Sequence, residues 1–125
     1  MREKNYVRDT ATYGVILLIS VLFVLLFSYS TSAFYPDYYE CDQSEFLTMG
    51  KMWANGRLPY IEQFDHKGPI IFFVNMVGMQ LMGTKAGVSI VQMCFMFFTL
   101  LSFYRICIKD NTNRLLSILL TVVFW

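Results

Sequence analysis

Residues 35–69 read YPDYYECDQSEFLTMGKMWANGRLPYIEQFDHKGP. This stretch decides the fold because it is the polar interruption of an apolar chain. It carries nine charged residues and the protein's only histidine. Six of the nine acids lie in it: Asp37, Glu40, Asp42, Glu45, Glu62 and Asp65. Charged side chains are expensive at a bilayer centre. The stretch is therefore expected as a polar loop at a membrane surface, held between membrane helices. Chemistry, if the protein performs any, is expected here.

The whole composition agrees. At 125 residues the length suits one small domain. Hydrophobic residues make up 56%, against about 45–50% in soluble domains. Charged residues make up 15%, against about 25%, and the mean hydropathy is +0.47. A net charge of +1 gives no bulk attraction to nucleic acid, and no nucleic-acid module is present. Cys41, Cys94 and Cys107 have no CxxC or metal spacing, so free thiols are expected. No Walker, GxGxxG, HExxH or GxSxG pattern occurs.

On the N-terminal side of the loop, residues 1–12 are polar, with Arg2, Lys4 and Arg8 against Glu3 and Asp9. Tyr13 to Phe34 then runs without a charge and is long enough to span. A cleaved signal peptide competes, but the run is longer than a typical h-region. The basic bias places the N-terminus in the cytoplasm and the loop outside.

Inside the loop, Asp42-Gln-Ser-Glu45 matches a capping box, which predicts a helix from about Gln43 to Ala54. Phe46, Met49 and Trp53 share one face, which predicts a surface helix with its apolar side on the membrane. Asn55-Gly56 is its stop. Tyr35, Tyr38, Tyr39, Tyr60 and Trp53 fit an interfacial aromatic belt.

On the C-terminal side, Gly68-Pro69 opens an apolar helix over 69–84, short for a span. Residues 86–104 are long enough to span. Arg105, Lys109 and Arg114 follow, and 115–125 reads as the start of another span. Two topologies compete. Either 69–84 crosses and the basic loop 105–114 lies outside, or 69–84 is a juxtamembrane or half-buried helix and that loop is cytoplasmic. The positive-inside bias favours the second. Because TVVFW ends inside an apolar run, the expectation is the N-terminal portion of a longer protein or a truncated product of one.

Two groups in the loop are candidates for chemistry. Asp42 is either a helix N-cap or a carboxylate general base, and Glu40 or Glu45 could take the second role instead. Lys67, in Asp65-His66-Lys67-Gly68-Pro69, precedes a helix start. It either binds phosphate together with the helix N-terminus or snorkels to the interface. His66 has no second histidine to form a zinc site, so no metal is expected.

The order YYECDQSEF, a short helix, NGRLPY, FDHKGP and an apolar helix resembles the first outer loop of integral-membrane glycosyltransferases of the GT-C fold. The branch is that of the dolichyl-phosphate-mannose protein mannosyltransferases and aminoarabinose lipid A transferases. Bacterial members of glycosyltransferase family 39 or RgtA/B/C/D-like type are the nearest in pattern. Many relatives have a second proline where this chain has Gly68. The resemblance implies an all-α, polytopic membrane protein whose outer loop carries juxtamembrane helices. It further implies a polyprenyl-phosphate-linked sugar donor and a cell-envelope glycan, lipid or protein acceptor, with no cofactor and no nucleotide site. Asp42 matches the catalytic acid of that loop. Lys67 matches the residue that contacts the donor phosphate, with Asp65, His66 and Glu45 as further candidate substrate-binding residues. The competing reading is a small non-catalytic membrane protein.

Overall fold

A computed structural model describes residues 2–38, 40–109 and 116, with only the backbone course for 2–9 and 109. Four helices occur in order: α1 Arg2–Phe27, α2 Cys41–Ala54, α3 Pro69–Met82 and α4 Lys85–Lys109. There is no strand among the described residues, so the fold class is all-α. Apart from Leu116, the expected span from residue 115 onward lies outside the described residues, as do the end of the basic loop and Tyr39.

The chain divides into two compact units, Leu22–Met93 and the remainder, residues 1–21 with 94–125. In the second of these, Thr12, Ile16 and Ser20 are buried at four-residue spacing along α1. Met96, Leu100 and Tyr104 repeat the pattern along α4. Each is a narrow stripe, and large apolar side chains such as Leu17, Leu18, Phe95 and Phe98 remain exposed. Segments Thr10–Phe27 and Lys85–Ile108 are long and apolar enough to cross a membrane, yet only 17% and 28% of them is buried. A core helix of a soluble protein would be mostly covered.

Helix α1 stops at Phe27, short of the expected Phe34. The uncharged run continues, but its hydroxyls find partners off the helical path: Ser32 on the backbone, Ser28 and Thr31 on Gln92, and Ser30 on Glu40 Oε2. The Ser32 hydroxyl donates to the Leu25 carbonyl at 2.6 Å, satisfying a helix-end acceptor. Thr31 donates to Gln92 Oε1 at 2.6 Å, and Ser28 donates to the same atom at 3.1 Å. The Ser89 hydroxyl donates to the Thr31 carbonyl. These bonds pin the 28–32 turn to the beginning of α4.

The unit Leu22–Met93 is built on the α2–α3 hairpin. Phe46, Met49 and Phe72 form its buried cluster, with Trp53 packed against it. Trp53 also meets Phe73 edge to face at 5.8 Å. The stripe Phe46, Met49, Trp53 is thus covered by α3, which corrects the expectation that it lies on a membrane surface. Aromatic rings on α3 offer it a protein partner. Gly50 makes the approach possible, since a Cβ there would stand 2.7 Å from the Asn75 backbone carbon.

Local signals set the hairpin ends. At the α2 terminus Gly56 takes φ 84°. Arg57 N–H donates to the Met52 carbonyl at 3.0 Å, and Gly56 N–H to that of Trp53 at 3.0 Å. This pair of bonds is a Schellman motif. Helix α3 starts with Pro69 in its first turn and ends at Gly83, whose φ is 68°. With 14 residues it is about 21 Å long, short of the roughly 30 Å hydrocarbon core. Helix α4 follows at once and runs to Lys109, past the expected end at Tyr104.

Candidate functional site

The beginnings of α2 and α3 lie side by side. Asp42 stands in the first turn of α2. Lys67 stands two residues before Pro69, and its Nζ is 3.6 Å from Asp42 Oδ2. The lysine is 36% and the aspartate 69% exposed, so both groups remain accessible from solvent. Lys67 Nζ also sits 5.5 Å from the ring centroid of Phe46, one turn after Asp42. That is within cation–π range.

Asp42 is not the N-cap. Glu40 holds that position in extended conformation, and no side chain caps the helix. The capping box is pre-empted because Ser44 bonds Glu40 with both its groups. Its amide donates to the Glu40 carbonyl at 2.9 Å, and its hydroxyl donates there at 2.7 Å. The helix therefore begins two residues earlier than expected. Asp42 shifts inside the first turn, where a carboxylate suits the positive dipole end and faces Lys67.

The residues around Lys67 are arranged by the loop after α2. Tyr60 adopts φ 66°, uncommon for a bulky residue. Its ring packs on Phe72 at 5.8 Å and on Phe64 at 6.3 Å. From there its hydroxyl donates to the Lys67 carbonyl at 2.5 Å. Asp65 is buried, its side chain 2% exposed. Its Oδ1 accepts the Lys67 N–H at 3.4 Å, an Asx-type turn. The same oxygen is 3.0 Å from His66 Nδ1. Asp65 Oδ2 is buried with no hydrogen-bond partner among the described residues.

The structure therefore brings Asp42 and Lys67 together and places Asp65 beneath the lysine backbone. His66 points outward, 82% exposed. Glu45 is exposed on α2, and its carboxylate makes no hydrogen bond or ion pair among the described residues. The first turn of α3 has no side-chain cap. No group of three or more His, Cys, Asp or Glu able to hold a metal occurs among the described residues.

Three contributors went unnoticed in the sequence. Tyr60 looked like one of several interfacial aromatics. Asn75 is buried between the hairpin helices, donating to the Ile71 carbonyl at 2.8 Å and accepting from Gln43 Nε2 at 3.3 Å. A polar residue inside an otherwise apolar helix was its available signal. Lys85, the charged residue between the apolar runs 69–84 and 86–104, donates to the carbonyls of Tyr35 and Tyr38 at 2.8 and 3.0 Å. No known protein family, curated protein or solved structure matches this chain.

Proposed function

We propose that the α2–α3 hairpin is the reacting end of a membrane glycosyltransferase. It moves a sugar from a polyprenyl-phosphate donor to an acceptor hydroxyl. The observation that supports this is the meeting of an accessible carboxylate and an accessible ammonium, Asp42 and Lys67, at 3.6 Å. In this reading the acceptor oxygen attacks the anomeric carbon and its proton passes to Asp42. The bond from that carbon to the phosphate oxygen breaks, and its electron pair leaves on the phosphate. Lys67 and the uncapped start of α3 stabilise the charge that grows there. A single displacement of this kind inverts the anomeric centre.

Without donor, Lys67 rests on Asp42. An exposed pair of this type contributes about 0–1 kcal/mol, so a donor phosphate draws the lysine away at little cost. That exchange leaves the Asp42 carboxylate available as base. The buried Asp65 carboxylate and the Tyr60 hydroxyl hold the lysine's backbone, and both act as positioning residues. In this proposal α1 and α4 span the membrane, the N-terminus is cytoplasmic and the hairpin lies outside, on the cell-envelope side. The two long, sparsely buried apolar helices and the basic N-terminal residues support that placement.

The test uses the whole polypeptide that contains residues 1–125, reconstituted with a polyprenyl-phosphate sugar. Asp42→Asn is expected to lower turnover by about 10²–10⁴-fold with donor binding retained. Lys67→Ala is expected to weaken donor binding. Unchanged turnover in the first variant removes Asp42 as base.

A second reading is a non-catalytic membrane protein in which the same ion pair only latches the hairpin. The direct contact between the two charges favours it. Sugar transfer by the unmodified protein excludes it.

A further inference from the structure

The face of α2 opposite Asp42 borders a cleft of about 670 Å³, closed on its other sides by the 33–36 turn and the α3–α4 junction. Its floor is apolar, with Leu47 and Met79, and its walls carry two ammonium groups, Lys51 and Lys85, beside the Thr84 hydroxyl. Lys51 is exposed, and its ammonium makes no hydrogen bond or ion pair among the described residues. Lys85 is the first residue of α4. A cation is unfavourable at that positive end of a helix, and its contacts with the carbonyls of Tyr35 and Tyr38 hold it there. A second hollow, lined by Lys51, continues past it to Arg57.

We propose that this cleft binds the phosphate of an anionic membrane phospholipid, with the first carbons of the lipid over Leu47 and Met79. Charge complementarity selects an anion. Position selects a lipid as its source. The apolar segment of α1 ends at Phe27 and that of α4 begins at Lys85, so the cleft lies where both apolar segments finish. Headgroup phosphates stand at that level when such segments cross a bilayer. The turn beside the cleft carries Tyr29, packed edge to face on Tyr35 at 4.8 Å and on Tyr38 at 6.1 Å. Exposed tyrosines of this kind belong to the membrane–water interface. Ser44 and Thr48 line the cleft, but their hydroxyl protons go to the α2 backbone. Lys51 and Thr84 therefore make the contact with the phosphate, and Lys85, held by the Tyr35 and Tyr38 carbonyls, adds its charge to the wall. The proposal is independent of the glycosyl-transfer reading and needs only α1 and α4 to stand in a bilayer.

The experiment is native mass spectrometry of the full chain released from nanodiscs of mixed phosphatidylglycerol and phosphatidylcholine. Phosphatidylglycerol is expected to be retained preferentially, and millimolar inorganic phosphate is expected not to displace it. Lys51→Ala is expected to reduce that retention about fivefold, and Lys51→Arg to restore it. Because the Lys51 ammonium holds no contact within the fold, and its backbone bond to Asn55 survives either substitution, circular dichroism of both variants is expected to match the unmodified protein. Equal retention of the two lipids, or the same preference in Lys51→Ala, overturns the proposal. Displacement by inorganic phosphate also overturns it, and identifies a site for a soluble anion instead.

Discussion

The hydroxyl of Tyr60 donates to the carbonyl of Lys67 at 2.5 Å, while the Tyr60 ring rests on Phe72 of α3. One side chain thus ties the loop after α2 both to the hydrophobic cluster and to the backbone of the residue that faces Asp42. Tyr60→Phe keeps the ring and removes the bond. It is expected to lower hairpin stability by about 1 kcal/mol, read as a lower denaturation midpoint. No change in midpoint would mean that water replaces the bond fully.

Asp65 separates two effects by its chemistry. Asparagine retains a side-chain oxygen for the Lys67 N–H and removes a buried negative charge. Alanine removes the acceptor as well. Asp65→Ala is expected to cost about 1–3 kcal/mol, with Asp65→Asn clearly milder. Equal losses in chemical denaturation would show that the charge, through His66, matters more than the turn.

Gly50 tests the closeness of the two helices. In an isolated helix, glycine to alanine stabilises by about 1 kcal/mol. Here the new Cβ would stand 2.7 Å from the Asn75 backbone carbon and Cβ, and 2.8 Å from the Met76 nitrogen. Gly50→Ala is therefore expected to destabilise by about 1–3 kcal/mol. A raised melting temperature would contradict the packing of α2 on α3.

The Asp42–Lys67 pair can be weighed as a strut. A double-mutant cycle with Asp42→Asn and Lys67→Met is expected to give a stability coupling of about 0.2–1 kcal/mol, diminishing in salt. A coupling of several kcal/mol would make the pair structural and weaken the case for a donor that opens it.

Much of the helix layout can be read from local signals. Pro69 predicts the first turn of α3, and Asn55-Gly56 predicts the end of α2. Both act through the backbone of a few neighbouring residues and need no distant partner. The stripe Phe46, Met49, Trp53 is legible as apolar, but periodicity does not say what covers it. Phe72 and Phe73 of α3 do, and they follow in the chain only after the whole loop. Asp42 looked like an N-cap because its spacing to Glu45 fits one. Ser44 already bonds the Glu40 carbonyl, and that competition is invisible in a spacing rule.

By itself, then, the sequence determined an all-helical chain, the two long apolar helices and the polar stretch between them. Composition, periodicity and helix-end chemistry are local properties that a linear pattern carries. The tertiary structure alone decided that Asp42 meets Lys67, that Asp65 is buried beneath the loop, and that Lys51 and Lys85 share a cleft. Each of these depends on α2 and α3 closing on one another. That closure is set by ring packing and by the missing Cβ of Gly50, which act between residues far apart in the chain.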